Sequence, residues 1–193
     1  MPIVIWSFTH IQGPMTKESI FILPGIGNSG NGHWQTRWQE LLPRTRRVEQ
    51  QDWDHPVCSV WVTALEAAVR GSEPNIVLVA HSLACLQLAH WAASTRCRVR
   101  GALLVAVPDP EGAAFPREEA IGFSPLPLER FAFPSIVVAS SNDPYGSIDH
   151  ARRCAGAWGS RLVEIGPAGH INAGSGLGDW PQGQALLAEF LSR

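Results

Sequence analysis

The stretch Asn75 to Ser94, NIVLVA-HS-LACLQLAHWAAS, decides the fold. Its first six residues form a continuous apolar run without alternation, the pattern of a strand covered on both faces. From Leu83 onward the residues are apolar around most of a helix, so a buried strand turns directly into a buried helix with only His81 and Ser82 between them. Working outward, the same rhythm recurs. Upstream, Ser19 to Leu23 (SIFIL) reads as a strand running into the loop PGIGNSGNG (residues 24–32), and a helix follows over His33 to Leu42. Thr45 to Gln50 reads as a weaker strand and Cys58 to Val69 as a helix. Downstream come strands at Arg100 to Val107 (RGALLVAV), Pro134 to Ser140 (PSIVVAS) and Arg161 to Ile165 (RLVEI). Helices are expected over Ser147 to Trp158 and Trp180 to Leu191, and the Pro-containing segment 108–133 reads as an irregular excursion. Strands alternating with helices imply parallel βαβ units. The expected fold is a doubly wound, mostly parallel sheet of about six strands, in three α/β/α layers with little or no cap. In such sheets ligands bind beyond the carboxyl ends of the strands.

The whole chain is consistent with this. Its 193 residues suit one domain, and 45% hydrophobic with 17% charged residues is a globular composition. The net charge is -2, and the densest basic cluster, Arg44, Arg46 and Arg47, is short and followed by Glu49, which argues against a nucleic-acid surface. No run approaches the roughly 18 apolar residues that span a bilayer. The four cysteines show no CxxC pair and read as buried thiols of a reducing compartment. The start lacks the basic and long apolar regions of a signal peptide, so a cytoplasmic protein is expected. Residues 1–18 read as an N-terminal extension of unassigned role before a single domain over 19–193.

Chemistry concentrates at strand ends. Ala80-His81-Ser82-Leu83-Ala84 matches the strand-to-helix elbow usually written GxSxG, in which a strained turn exposes a serine oxygen above the sheet. Alanine replaces both glycines but keeps those positions small. A serine there can also simply cap the following helix. Two later strand ends add what a serine nucleophile needs, a histidine base and a carboxylate that holds the histidine ring. Asp143 lies in SSNDPY (residues 140–145) and His170 in AGHIN (residues 168–172), which gives the order Ser, Asp, His. Asp109, at an earlier strand end, is the alternative acid. The oxyanion donors of such a site are the backbone N–H after the nucleophile, Leu83, and one from the early Gly-rich loop, Ile26 or Gly27. That loop has neither a Gly-Lys-Ser/Thr ending nor a GxGxxG register, so it does not read as phosphate-binding. Asn28, His81 and Trp53 are candidate pocket residues. No metal-ligand spacing appears, and neither metal nor cofactor is expected.

Taken together, GNSGNGHW (residues 27–34), Asp52-Trp53 with Pro56 and Trp61, AHSLA, SSNDPY and AGHIN resemble the small α/β hydrolases grouped with retinoblastoma-binding protein 9 and the YdeN-like proteins. The resemblance runs from about Ser19 to the C-terminus. It implies a cap-poor serine hydrolase with Ser82, Asp143 and His170 at the family's triad positions, acting as an esterase or amidase on a small ester, thioester or amide. Two other functions remain open on the same fold: acyl transfer or lyase chemistry with the same triad, and protein binding with vestigial activity. Leu83 to Gln87 approaches an LxCxE retinoblastoma-pocket motif, but on a helix expected to be buried. Oligomeric state is not indicated.

Overall fold

The computed structural model describes residues 19–73 and 75–191; the extension read over residues 1–18 lies outside them. Within these bounds the chain alternates as its apolar runs predict: β1 (Ser19–Leu23), α1 (Trp34–Leu41), β2 (Thr45–Arg47), α2 (Cys58–Arg70), β3 (Ile76–His81), α3 (Leu83–Ser94), β4 (Gly101–Val105), β5 (Ser135–Ala139), α4 (Ile148–Trp158), β6 (Arg161–Glu164) and α5 (Pro181–Leu191). The strands form one six-stranded sheet in the order β2-β1-β3-β4-β5-β6, and every neighbouring pair is parallel. The three-layer α/β fold with a minimal cap is therefore the observed architecture.

Side-chain alternation along each strand builds the layers. Ile20, Ile22, Val77, Val79, Leu103, Val105, Ile136 and Val138 face one core, shared with Trp34 and Trp38 of α1 and Leu187 and Phe190 of α5. Their neighbours Phe21, Leu23, Leu78, Ala80, Leu104 and Val137 face the other, with Trp61 and Leu65 of α2, Leu86 and Leu88 of α3, and Cys154 and Trp158 of α4. Because both faces of β3, β4 and β5 are covered, these strands are buried at every position. That is why they read as unbroken apolar runs. The second strand is shorter than expected, Thr45–Arg47 instead of Thr45 to Gln50. It is an edge strand with β1 as its single neighbour, and its ladder runs out at Arg47 opposite Ile22, one residue before β1 ends at Leu23.

The chain runs from β1 outward to β2 and then returns to β3 on the other side of β1. The strand order thus reverses between β1 and β3, where a crevice opens beyond the carboxyl ends. Leu23 pairs with Ala80 in register, so the loop after β1 and the turn after β3 start side by side. The 108–133 excursion carries no regular helix or strand, only an isolated bridge between Ile121 and Val57. It is pinned by the buried Phe115, Phe123 and Phe131 and forms a wall beside that crevice.

Candidate active site

The turn between β3 and α3 is forced by packing on both sides. Ala80 and Ala84 are wholly buried, so neither place could hold a larger side chain without displacing strand or helix. Ser82 itself has φ 55° and ψ -126°, outside the regions open to a residue with a Cβ, which costs about 1–3 kcal/mol. The bond from Ser82 N–H to the Val105 carbonyl (2.9 Å) helps hold it there. Its hydroxyl makes no capping bond to α3. The oxygen instead stands 2.7 Å from Nε2 of His170. Gly25 makes this approach possible: a Cβ there would lie 2.9 Å from the Ser82 Cβ, 3.1 Å from the His81 carbonyl and 3.3 Å from the Leu83 nitrogen. Gly25→Ala is accordingly expected to destabilise the protein by about 1–3 kcal/mol and to lower turnover more than tenfold, read by thermal melting and steady-state rates.

His170 follows β6, and its Nδ1 donates to both carboxylate oxygens of Asp143, at 2.8 and 2.9 Å. The Asp143 side chain is 2% exposed and that of His170 10%. Asp109 lies elsewhere, 3.5 Å from His150 and 3.8 Å from Arg153. The structure therefore brings Ser82, His170 and Asp143 together and keeps Asp109 apart. Residues not singled out from the sequence brace this arrangement. Asn142 Oδ1 accepts Gly169 N–H (2.7 Å) and Ser140 Oγ accepts Ala168 N–H (2.9 Å), tying the histidine loop to the end of β5. Trp34 Nε1 donates to the Ile171 carbonyl at 2.8 Å. Both short polar side chains lie in SSNDPY, so their position beside Asp143 was the available signal.

Of the oxyanion candidates, Leu83 and Ile26 line the cavity, and neither backbone N–H has a hydrogen-bond partner among the described residues. Gly27 is a correction: its N–H is consumed by the Trp53 carbonyl at 2.8 Å, and the residue does not line the cavity. Trp53 is a second correction. Its ring packs edge-on against Trp61 at 5.6 Å and does not line the cavity; it acts on the loop through its carbonyl alone. Asn28 and His81 do line it, together with His33, Phe115, Tyr145 and Asn172, and the cavity measures about 620 Å³. Cys85 and Gln87 of the LxCxE-like stretch are fully buried.

His81 donates from Nε2 to the His170 carbonyl at 2.9 Å, and its ring lies 4.7 Å from that of His33. Nδ1 of His33 accepts Gln35 N–H and so caps α1. Burial, then Arg47, then His170 hold His33 down at about 4. Burial first, with His33 and His170 next, also keeps His81 well below the usual range. Both rings therefore stay neutral near pH 7. The unfolded chain takes up protons near pH 6.5 while these folded rings refuse them, so stability falls as pH drops from about 6.5 toward 4, by at most about 1.4 kcal/mol per pH unit per ring. His33→Asn, which keeps an oxygen for the Gln35 amide, is expected to flatten that slope in melting curves taken across this range.

The comparisons with known proteins agree with this geometry. The serine hydrolase family model matches residues 20–189. A YdeN-like hydrolase of Pectobacterium atrosepticum is 31% identical, superposes with a TM-score of 0.79, and the match covers 91% of each chain. The ydeN product of Bacillus subtilis is 18% identical with a TM-score of 0.70, over 91% of this chain and 100% of that one. Esterase 2 of Thermogutta terrifontis is 18% identical with a TM-score of 0.66, over 91% of this chain and 82% of that one. No curated protein matches. A buried elbow serine between two small residues, a sheet that reverses beside it and a family match spanning both make this chain a member of the serine hydrolases, and within them of the small YdeN-like hydrolases.

Proposed function

We propose that the chain hydrolyses small carboxylic esters, thioesters or amides through an acyl-enzyme on Ser82. The observation that carries this reading is the unbroken relay from Ser82 Oγ to His170 Nε2 and from His170 Nδ1 to Asp143, at the floor of the cavity. In the first half-reaction His170 takes the hydroxyl proton as Ser82 attacks the carbonyl carbon. Asp143 holds the Nδ1–H tautomer and stabilises the imidazolium. The carbonyl electrons move onto oxygen, which the Leu83 and Ile26 amides receive at the N-terminus of α3. His170 then protonates the departing alcohol, thiol or amine, and water repeats the sequence to release the acid. Because His33 and His81 are neutral, they neither compete for the proton on His170 nor place a cation beside it.

The cavity suits a small substrate, since about 620 Å³ falls in the middle of the range for small-molecule sites. Pro108, Ala114, Phe115 and Pro116 give it an apolar side, and among the described residues the exposed Glu119 is the one lining carboxylate. Uncharged acyl groups are therefore expected to be turned over faster than anionic ones of equal length. The function is tested by incubating the folded protein with a fluorophosphonate probe and a panel of neutral and anionic p-nitrophenyl esters. Stoichiometric labelling with turnover of the neutral esters supports it, whereas folded protein that takes no label and cleaves none refutes it. No described helix is long and apolar enough to cross a membrane. The free cysteines, three of them buried, fit a cytoplasmic protein.

A further inference from the structure

The Ile26 amide sits in a tight turn closed by a bond from Asn28 N–H to the Gly25 carbonyl at 3.1 Å. Gly27 N–H ties one flank of this turn to the Trp53 carbonyl at 2.8 Å. The other flank is gripped by Arg47, at the end of β2. Its Nη1 donates to Asn28 Oδ1 (2.5 Å) and to the Ser29 carbonyl (3.1 Å). Its Nη2 donates to Thr36 Oγ1 (2.8 Å) and its Nε to Gln39 Oε1 (3.2 Å). Thr36 Oγ1 donates in turn to the Ser29 carbonyl at 2.7 Å.

Among the described residues Arg47 forms no ion pair within 4.0 Å, and the carboxylate that bears on it, Glu49, acts from a longer distance. The neighbouring Arg46 points away from this loop, its guanidinium lying over the Phe21 ring at 4.0 Å and donating to the Ala68 carbonyl at 2.9 Å and to Ser72 Oγ. Arg47 is half-buried, and burial holds its guanidinium below its ordinary pKa. Desolvating a cation whose direct partners are neutral acceptors on one loop and the adjoining helix is costly, and Glu49 offsets only part of that cost. The return is a loop with little freedom left.

We propose that Arg47 is a positioning residue for the hydrolytic step, clamping Asn28 and Ser29 so that the Gly25–Asn28 turn presents the Ile26 N–H to the developing oxyanion. This inference rests on the oxyanion assignment made above. Arg47 does not line the cavity, so it has no contact to lose with bound substrate. Its effect falls on the transition state, where a donor fixed beforehand needs no reorganisation as charge develops.

The test compares wild type, Arg47→Met and Asn28→Gly. The glycine tolerates the φ of 63° at position 28 and removes the side-chain acceptor, so it loosens the same grip while leaving Arg47 in place. For each protein kcat and KM are measured on p-nitrophenyl butyrate. Affinities are measured for an aryl trifluoromethyl ketone, to which Ser82 adds to give an oxyanion, and for the matching alcohol, which forms no adduct. The expected result is kcat about 10 to 100 times lower in both variants with a parallel loss of ketone affinity relative to the alcohol; in Arg47→Met, whose side chain lies outside the cavity, KM stays within about twofold and alcohol affinity is unchanged. Where Arg47→Met melts too low to assay, the ratio of ketone to alcohol affinity in Asn28→Gly decides, because the contacts of this cavity-lining residue cancel in that ratio. Variants that keep wild-type kcat and ketone affinity, whatever their melting temperature, overturn the clamp and leave the hydrolase reading standing. Wild-type protein that neither cleaves the ester nor binds the ketone overturns both.

Discussion

Ser82→Ala is expected to lower kcat on a neutral ester by about 10⁴- to 10⁶-fold and to abolish fluorophosphonate labelling, while the protein remains folded. No other side chain in the cavity can take over the attack, because His170 Nε2 is directed at this oxygen from 2.7 Å. The fold should be indifferent to the loss, since the hydroxyl makes no cap bond to α3 and the residue is only 9% exposed. Ser82→Gly sharpens the expectation. It is equally inactive but relieves the backbone at φ 55° and ψ -126°, so it should melt above wild type by an amount corresponding to about 1–3 kcal/mol. A serine retained only for structure predicts the reverse, with both variants losing stability. Melting curves and labelling gels on the three proteins separate the two.

Asp143→Asn should cost about 10⁴-fold in kcat with little change in melting temperature. The reason lies in a second bond. Asp143 Oδ1 also accepts the Tyr145 N–H at 2.9 Å. An asparagine keeps that bond by pointing its oxygen at Tyr145, which leaves its NH₂ facing His170 Nδ1. The imidazole must then carry its proton on Nε2, the nitrogen that has to receive the serine proton. Asp109→Asn is the control: with its carboxylate beside His150 and Arg153, turnover should stay near wild type. Equal losses in the two variants, measured on one ester at one pH, would remove Asp143 from the role assigned to it.

The sequence made the central elements legible because they are covered on both faces. β3, β4 and β5 have no polar side to show, and α3 is buried along most of its length. The edge was harder: β2 holds two arginines in its three residues, and its ladder with its single neighbour stops at Arg47 opposite Ile22. The strand ends carrying Ser82, Asp143 and His170 could be found from order alone. The choice between Ile26 and Gly27 could not, since it depends on which way a peptide plane faces. Arg47 looked like part of a short basic cluster, and nothing in one-dimensional spacing separates an arginine lying on a phenylalanine from one gripping a loop. Trp53 reads as a pocket residue from its place after the second strand, whereas its carbonyl makes the contact with the loop.

Trp34 joins two parts of the molecule, hanging from the Ile171 carbonyl by its Nε1 and meeting the His81 ring edge-on at 6.0 Å. An indole so placed is an optical probe that needs no label. Its emission depends on the loop that carries the base and, across the neutral His81 ring, on charge appearing at His170. A stopped-flow fluorescence trace during the first turnover should therefore show acylation as a transient, and Trp34→Phe should erase the transient while the ester is still consumed.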